Sequence, residues 1–243
     1  MDNTKEFKET IRKNIEENFC HITVVTQSEV PRYAYTIGIY EKFNLELIIA
    51  GNENFLYDEI LFIINKAVTL LNIENLESLN FSISNLGSFK LIKIHHSWAR
   101  KMMLGVYDYY DLHNFDAYQI LPDENHYSLD IPNMSLEWNL KEQSVWKWLD
   151  ENVVWDWKIP SNSKIITNLE ALFGTRITEV MRWEEDEWQG FTMNGEEIGK
   201  NDIRILPIAT ILGIDNSLAP ITNLDIGKGL WRDSEELRWK NWG

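Results

Sequence analysis

A single cysteine, Cys20, is all the thiol that 243 residues contain. No intrachain disulfide can form, so core packing alone must hold the fold. Histidine is nearly as scarce, with five in the chain, and none stands in an H-x-H, H-x₃-H or H-E-x-x-H spacing that builds a metal site. The loops that cradle phosphates or present a nucleophile are missing too: there is no G-x-G-x-x-G, no Walker-type loop and no G-x-S-x-G. No apolar run approaches the ~18 residues of a bilayer crossing. The opening MDNTKEFKETIRKNIEENF is charged throughout and has no signal-peptide core. From these absences we expect a cytoplasmic protein with no cofactor, no metal and no membrane contact. Catalysis has little support.

Basic residues are also in short supply. Lys and Arg number 23 against 38 Asp and Glu, a formal charge of −15. Residues 1–130 carry 11 basic and 19 acidic side chains and the remainder 12 and 19, so the acidity belongs to the whole chain and not to a tail. Such a surface repels nucleic acid and anionic lipid and favours a basic protein partner. It also serves solubility alone.

What is present is ample core material, 44% hydrophobic and 12% aromatic with eleven tryptophans. Phe7, Ile11, Ile15 and Phe19 recur every four residues, a narrow stripe on a polar helix. HITVVTQ (21–27) is β-branched and reads as a strand. YAYTIGIY (33–40) alternates with period two, Gly38 falling opposite the aliphatics where a bare backbone admits a close neighbour. LELIIAG (45–51) makes the next strand. The period then changes: Leu56, Ile60, Ile63, Ile64, Ala67, Val68 and Leu71 mark a helix, with Asn52 or Asn54 as its expected N-cap. A hairpin around residues 85–87, a helix within 97–110 and a strand in FDAYQILPDENH complete a β-β-β-α-β-β-α-β order. The fold class is α+β, a mixed sheet with packed helices.

Pro132 and Pro160 bracket a stretch with five tryptophans, among them the pairs Trp146/Trp148 and Trp155/Trp157. It reads as a connector that packs down, since a solvated linker would be rich in Gly, Ser or charge. ITEVMRWE and EWQGFTM then flank an acidic corner as a hairpin, and Pro207 opens a short helix in the apolar run that follows. The expected division is 1–130, a connector over 131–164 and a smaller α+β unit over 165–243.

Several side chains are candidates for a site, each with plain packing as the alternative. His95 and His96, if on a strand, diverge and cannot share a metal. His113 and His126 lie among acidic residues without ligand spacing. Cys20 beside His21 reads as a small buried side chain. The strongest feature is the corner Glu184, Glu185, Asp186 and Glu187 with Trp188 behind it, an acidic, aromatic-flanked grip for a basic partner. Asp215 and Arg232 are weaker partner-binding candidates. A rival reading, an enzyme or small-molecule binder, would place its pocket around Tyr35, Thr36, Gly38 and His95. A third is a homo-oligomeric structural or regulatory protein joined through the connector.

The stretch PRYAYTIGIYEKFNLELIIAG resembles the bacterial domain of unknown function 4262 family, through Pro31, Tyr33, Ala34, Tyr35, Thr36, Ile37 and Gly38 and through Leu45-Glu46-Leu47-Ile48. Gln119, Pro122 and Asp123 resemble its closing segment, and the likeness covers about residues 15–130. A glycine usual before the first strand is replaced by Asn18-Phe19-Cys20. Residues 165–240 more loosely resemble immunity protein family 33 (domain of unknown function 2185), in EVMRWEEDEWQGF, DNSLAPI and GKGLWRD. That likeness implies protection of a bacterium from a polymorphic toxin, by a non-catalytic protein that occludes it.

Overall fold

The glycines of the 32–51 run sit where the backbone must leave the strand conformation. In the computed structural model, which describes residues 3–71, 79–193, 195, 198–235 and 238–242, strand β2 (Tyr33–Ile37) ends at Gly38 with φ +127°. A Cβ there would stand 2.7 Å from Ile15 Cγ1 and 3.2 Å from the Cys20 backbone, so helix α1 (Asn3–Asn18) can cross closely only over glycine. The short helix α2 (Tyr40–Phe43) follows, and Gly51, with φ +70°, ends β3 (Leu45–Ala50) against Asp130 in the same way.

Around this run a six-stranded sheet forms in the order β1-β2-β3-β6-β5-β4, completed by β1 (His21–Val25), β4 (Asn80–Ile83), β5 (Gly87–Lys93) and β6 (Asp116–Pro122). Only the β3–β6 pair is parallel. The period-two alternation holds, but both faces are buried. Ala34, Leu47 and Ile49 face α3 (Tyr57–Leu70), while Tyr35, Ile37 and Ile48 face α4 (His96–Met102) and α5 (Leu104–Tyr110). This explains why LELIIA is a nearly continuous apolar run. The expected helix within 97–110 is two helices that meet at Met103. The N-cap of α3 is Leu56, not Asn52 or Asn54; Glu59 receives the Leu56 N–H at 2.7 Å, and both asparagines are buried upstream.

A second six-stranded sheet has the order β10-β7-β9-β8-β11-β12: β7 (Lys164–Asn168), β8 (Glu179–Arg182), β9 (Glu187–Phe191), β10 (Ile203–Pro207), β11 (Gly229–Trp231) and β12 (Lys240–Asn241). It too is mixed, β7 and β9 being parallel. Helices α6 (Leu169–Leu172) and α7 (Ile208–Ile214) and the 3-10 segment Asn216–Asn223 cover its inner face, closing on Ile165, Val180, Trp188, Leu206 and Leu230. The protein is therefore α+β, with two mixed sheets. None of the described helices is long and apolar enough to cross a membrane.

The tryptophan-rich stretch between the sheets packs onto both. Trp146 is 1% exposed and donates from Nε1 to the Asp130 carbonyl at 2.8 Å, while Ser144 Oγ donates to the Gly213 carbonyl at 2.8 Å. Arg204 of β10 reaches the loop after β3, donating to the carbonyls of Glu53 at 3.1 Å and Asn54 at 2.8 Å. Tertiary contacts of this kind tie the second sheet to the first.

Candidate protein-binding surface

The hairpin β8–β9 turns through residues 183–186, and its tip is braced from one side. Arg182 donates to the carbonyl of Glu184 at 3.2 Å, of Glu185 at 2.7 Å and of Leu224 at 2.7 Å, and its guanidinium lies 4.6 Å from the Trp188 ring centre. With the backbone so held, Glu184, Glu185, Asp186 and Glu187 point into solvent. The aromatic beside them is not the one expected. Trp188 is 0% exposed and belongs to the core, because strand alternation turns it away from Glu187 and toward the helices. Trp183 takes its place at the surface, 50% exposed, with Nε1 donating to Gln189 Oε1 at 3.1 Å.

Asp215 and Arg232 meet each other but not the corner. Arg232 is 2% exposed and spends its donors internally: on Asp215 Oδ2 at 3.0 Å, Ser217 Oγ at 2.7 Å and the Ile177 carbonyl at 2.8 Å. Burial alone would raise the Asp215 pKa, but the Ser217 hydroxyl and N–H and then Arg232 outweigh it and hold the carboxyl below its usual range. The cluster joins the region before β8 to the 3-10 segment, at the end of β8 away from the corner. Arg232 is thus a buried clamp and offers no guanidinium to a partner.

The residues of the rival pocket are also dispersed. Tyr35 Oη accepts from the Gly105 N–H at 3.2 Å on one side of the first sheet. Thr36, fully buried on the other side of the strand, bonds Glu46. His95 borders a cavity of about 210 Å³ with His96, Lys93 and Asp116, which none of the other three residues lines. The two histidines do not diverge, because the chain turns into α4 at His96 and their rings lie 4.2 Å apart. A cavity of about 500 Å³ lies beside β4, β5 and β6, lined by Ser82, Ser88, Lys90, Leu121 and Tyr127 among others. Asp123 also lines it, and its Oδ1 bonds His126 Nδ1 at 2.7 Å. Among the described residues no group of three His, Cys, Asp or Glu could hold a metal ion. Cys20 is buried, which pushes its thiol up to about 11.

Sequence reasoning missed the buried acids. Glu46, inside LELIIA, is 0% exposed. It accepts from Thr36 at 2.5 Å, the Gly38 N–H at 2.9 Å, the Tyr40 N–H at 3.1 Å and the Tyr110 hydroxyl at 3.5 Å. Burial with no cation among these partners pushes its pKa up to about 8 despite the donors. The family-like residues Thr36, Gly38 and Glu46 therefore form one internal network. Glu53 and Asp130 make a second, with Arg32. The Arg32 N–H meets Glu53 Oε1 at 2.7 Å, the Glu53 N–H meets Asp130 Oδ2 at 2.9 Å, and burial lifts Glu53 to about 7. A lone acid within an apolar strand was the available signal.

The open side of the second sheet completes the surface. Register places Ile205, Ile166, Gln189, Met181 and Gly229 in one row across five strands, on the side away from the helices. Ile205 is 53% exposed, and Trp242, 46% exposed, lies over Gly229. The next row holds Ile203, Asn168, Phe191, Glu179 and Trp231; Asn168 and Phe191 in its middle are buried, and Lys240 lies 4.5 Å over the Trp231 ring.

These features define an α+β protein of two mixed sheets whose exposed acidic turn adjoins the face of the second sheet away from its helices. Residues 14–128 match the family model described as Domain of unknown function (DUF4262). No curated protein and no solved structure matches the chain.

Proposed function

We propose that the chain is a non-catalytic binding protein of the bacterial immunity type, which occludes a basic toxin or partner protein through the corner at residues 184–187. The observation that carries this is the bracing of that corner. Four neighbouring carboxylates stand in solvent on a turn whose carbonyls Arg182 already holds at 3.2 and 2.7 Å. An acidic turn whose backbone is already held meets a cationic surface at a lower ordering cost, since only its side chains remain to be fixed. The chain's charge of −15 adds long-range attraction for the same partner. The immunity reading itself comes from the motif-level resemblance of residues 165–240 to immunity protein family 33, a stretch outside the residues 14–128 that the family model matches.

The test is calorimetric titration with purified bacterial toxin domains of pI above about 9. Reversing Glu184, Glu185 and Glu187 together to Lys should weaken a bound pair by about 2–5 kcal/mol. Unchanged affinity removes the corner from the interface, and failure to bind any such domain overturns the proposal.

A further inference from the structure

We infer that the docking surface extends from the acidic corner across the open face of the second sheet, and that this face seats the apolar centre of the same basic protein. This rests on the reading of the chain as a binding protein, but a different observation carries it. A six-stranded sheet with one face closed by helices leaves the other to water or to a partner. On this face Gln189 and Glu179 stand among larger apolar side chains than water alone selects. Ile205, Ile166, Met181 and Trp231 share it with Trp183 and Trp242, and Ile205, Trp183 and Trp242 are each about half exposed. Isolated apolar side chains on a surface are ordinary, but a contiguous set marks a contact site. Tryptophan in particular is enriched where binding energy concentrates.

Size and charge select the occupant. Five strands at ~4.8 Å spacing make the central row about 19 Å long, and three rows make it about 14 Å deep, the third being covered at Asn168 and Phe191. That is at most roughly 270 Å², no more than a third of the ~800 Å² that one side of a stable complex buries. The face and the corner must therefore act together. Trp183 joins them, rising from the corner and bonding Gln189 in the central row. Carboxylates stand along this edge: Glu184, Glu185, Asp186 and Glu187 at the turn, and Glu179 within the face. The cations near them are Lys164, Lys228, Arg182, which is spent on the corner carbonyls, and Lys240, which is bridged to Asp233 at 2.8 Å. An apolar centre rimmed by carboxylate matches an apolar patch ringed by Lys and Arg. A second copy would bring like charges together, each chain carrying −15, and anionic lipid or nucleic acid would be repelled.

The same toxin domains serve as the probe, titrated over a series of salt concentrations. The double substitution Trp183→Ala with Ile205→Thr removes apolar area and no charge. We expect at least ~30-fold weaker binding with the salt dependence unchanged, whereas the corner reversal should flatten the salt dependence. Ile205→Thr alone keeps a β-branched residue in the strand and guards against a folding defect in the pair; about fivefold weaker binding is expected from it. If the face substitutions leave affinity intact while the corner reversal weakens it, this inference falls and the proposed function stands. If neither changes affinity, or no domain binds, both fall. A wild-type dimer in sedimentation that the face substitutions turn into monomer assigns the face to self-association and overturns the inference.

Discussion

Replacing Glu46 by Gln tests a fully buried carboxyl network without any knowledge of a partner. Gln keeps an oxygen for the Gly38 and Tyr40 N–H groups and places an amide where Glu46 Oε2 meets Thr36 Oγ1, which can accept. It thus mimics the protonated acid. Burial raises the carboxyl from 4.5 to about 8, so the folded state holds the proton more tightly than the unfolded chain. The stabilisation from that proton is complete below the ordinary carboxyl range and is lost as pH rises toward 8. Linkage puts the loss between about pH 5 and about pH 8 at about 3 kcal/mol. Urea unfolding followed by tryptophan emission gives the readout, since Trp98, Trp146 and Trp188 are all fully buried and change environment on unfolding. Wild-type stability should fall across that interval. The Gln variant should lose about 3 kcal/mol less and be the more stable protein at the alkaline end. Glu53, lifted to about 7, and Asp130, raised by burial, leave a residual slope of the same sign in both proteins. Parallel slopes in the two proteins would refute the assignment of the proton to Glu46.

Further outcomes follow from single positions. Gly38→Ala puts a Cβ 2.7 Å from Ile15 Cγ1 at φ +127°, and should cost about 2–3 kcal/mol in thermal or urea unfolding. A loss below a few tenths would show that α1 does not pack as described. Arg204→Ala strips the Glu53 and Asn54 carbonyls of their donor and should cost about 2–4 kcal/mol, with faster amide exchange in the loop after β3. Unaltered exchange there would separate the two sheets energetically. The corner reversal and the open-face substitutions test the binding surface itself, with the outcomes given above.

Most local structure was legible because it depends on neighbours in the chain. The alternation of YAYTI, the helical period from Leu56 and the turn around residues 85–87 each record a repeat that the backbone imposes. Pro207 stands at the N-cap of α7, as the lack of a proline N–H allows. The errors fell where a residue's environment comes from far away. His95 and His96 could be paired only once α4 was known to begin there. Trp188 and Trp183 both flank the acidic run, and their alternation was readable, but which side of the hairpin the helices would cover was not. Glu46 looked like one acid in a strand. Its partners Thr36, Tyr40 and Tyr110 arrive from β2, the β2–β3 connection and α5.

By itself, then, the sequence determined the fold class, the position of most strands and helices, the strong negative charge and the family likeness of the first half. Composition and short-range periodicity fix the first three, and the motifs around Gly38 and Gln119 carry the likeness. Tertiary structure alone decided that β3 lies parallel to β6, that Arg232 is consumed by Asp215 and Ser217, and that one face of the second sheet stays open beneath the acidic turn. Those outcomes depend on how separate elements share a limited core. Packing between them, not the preference of any one segment, selects which side chains are left for a partner.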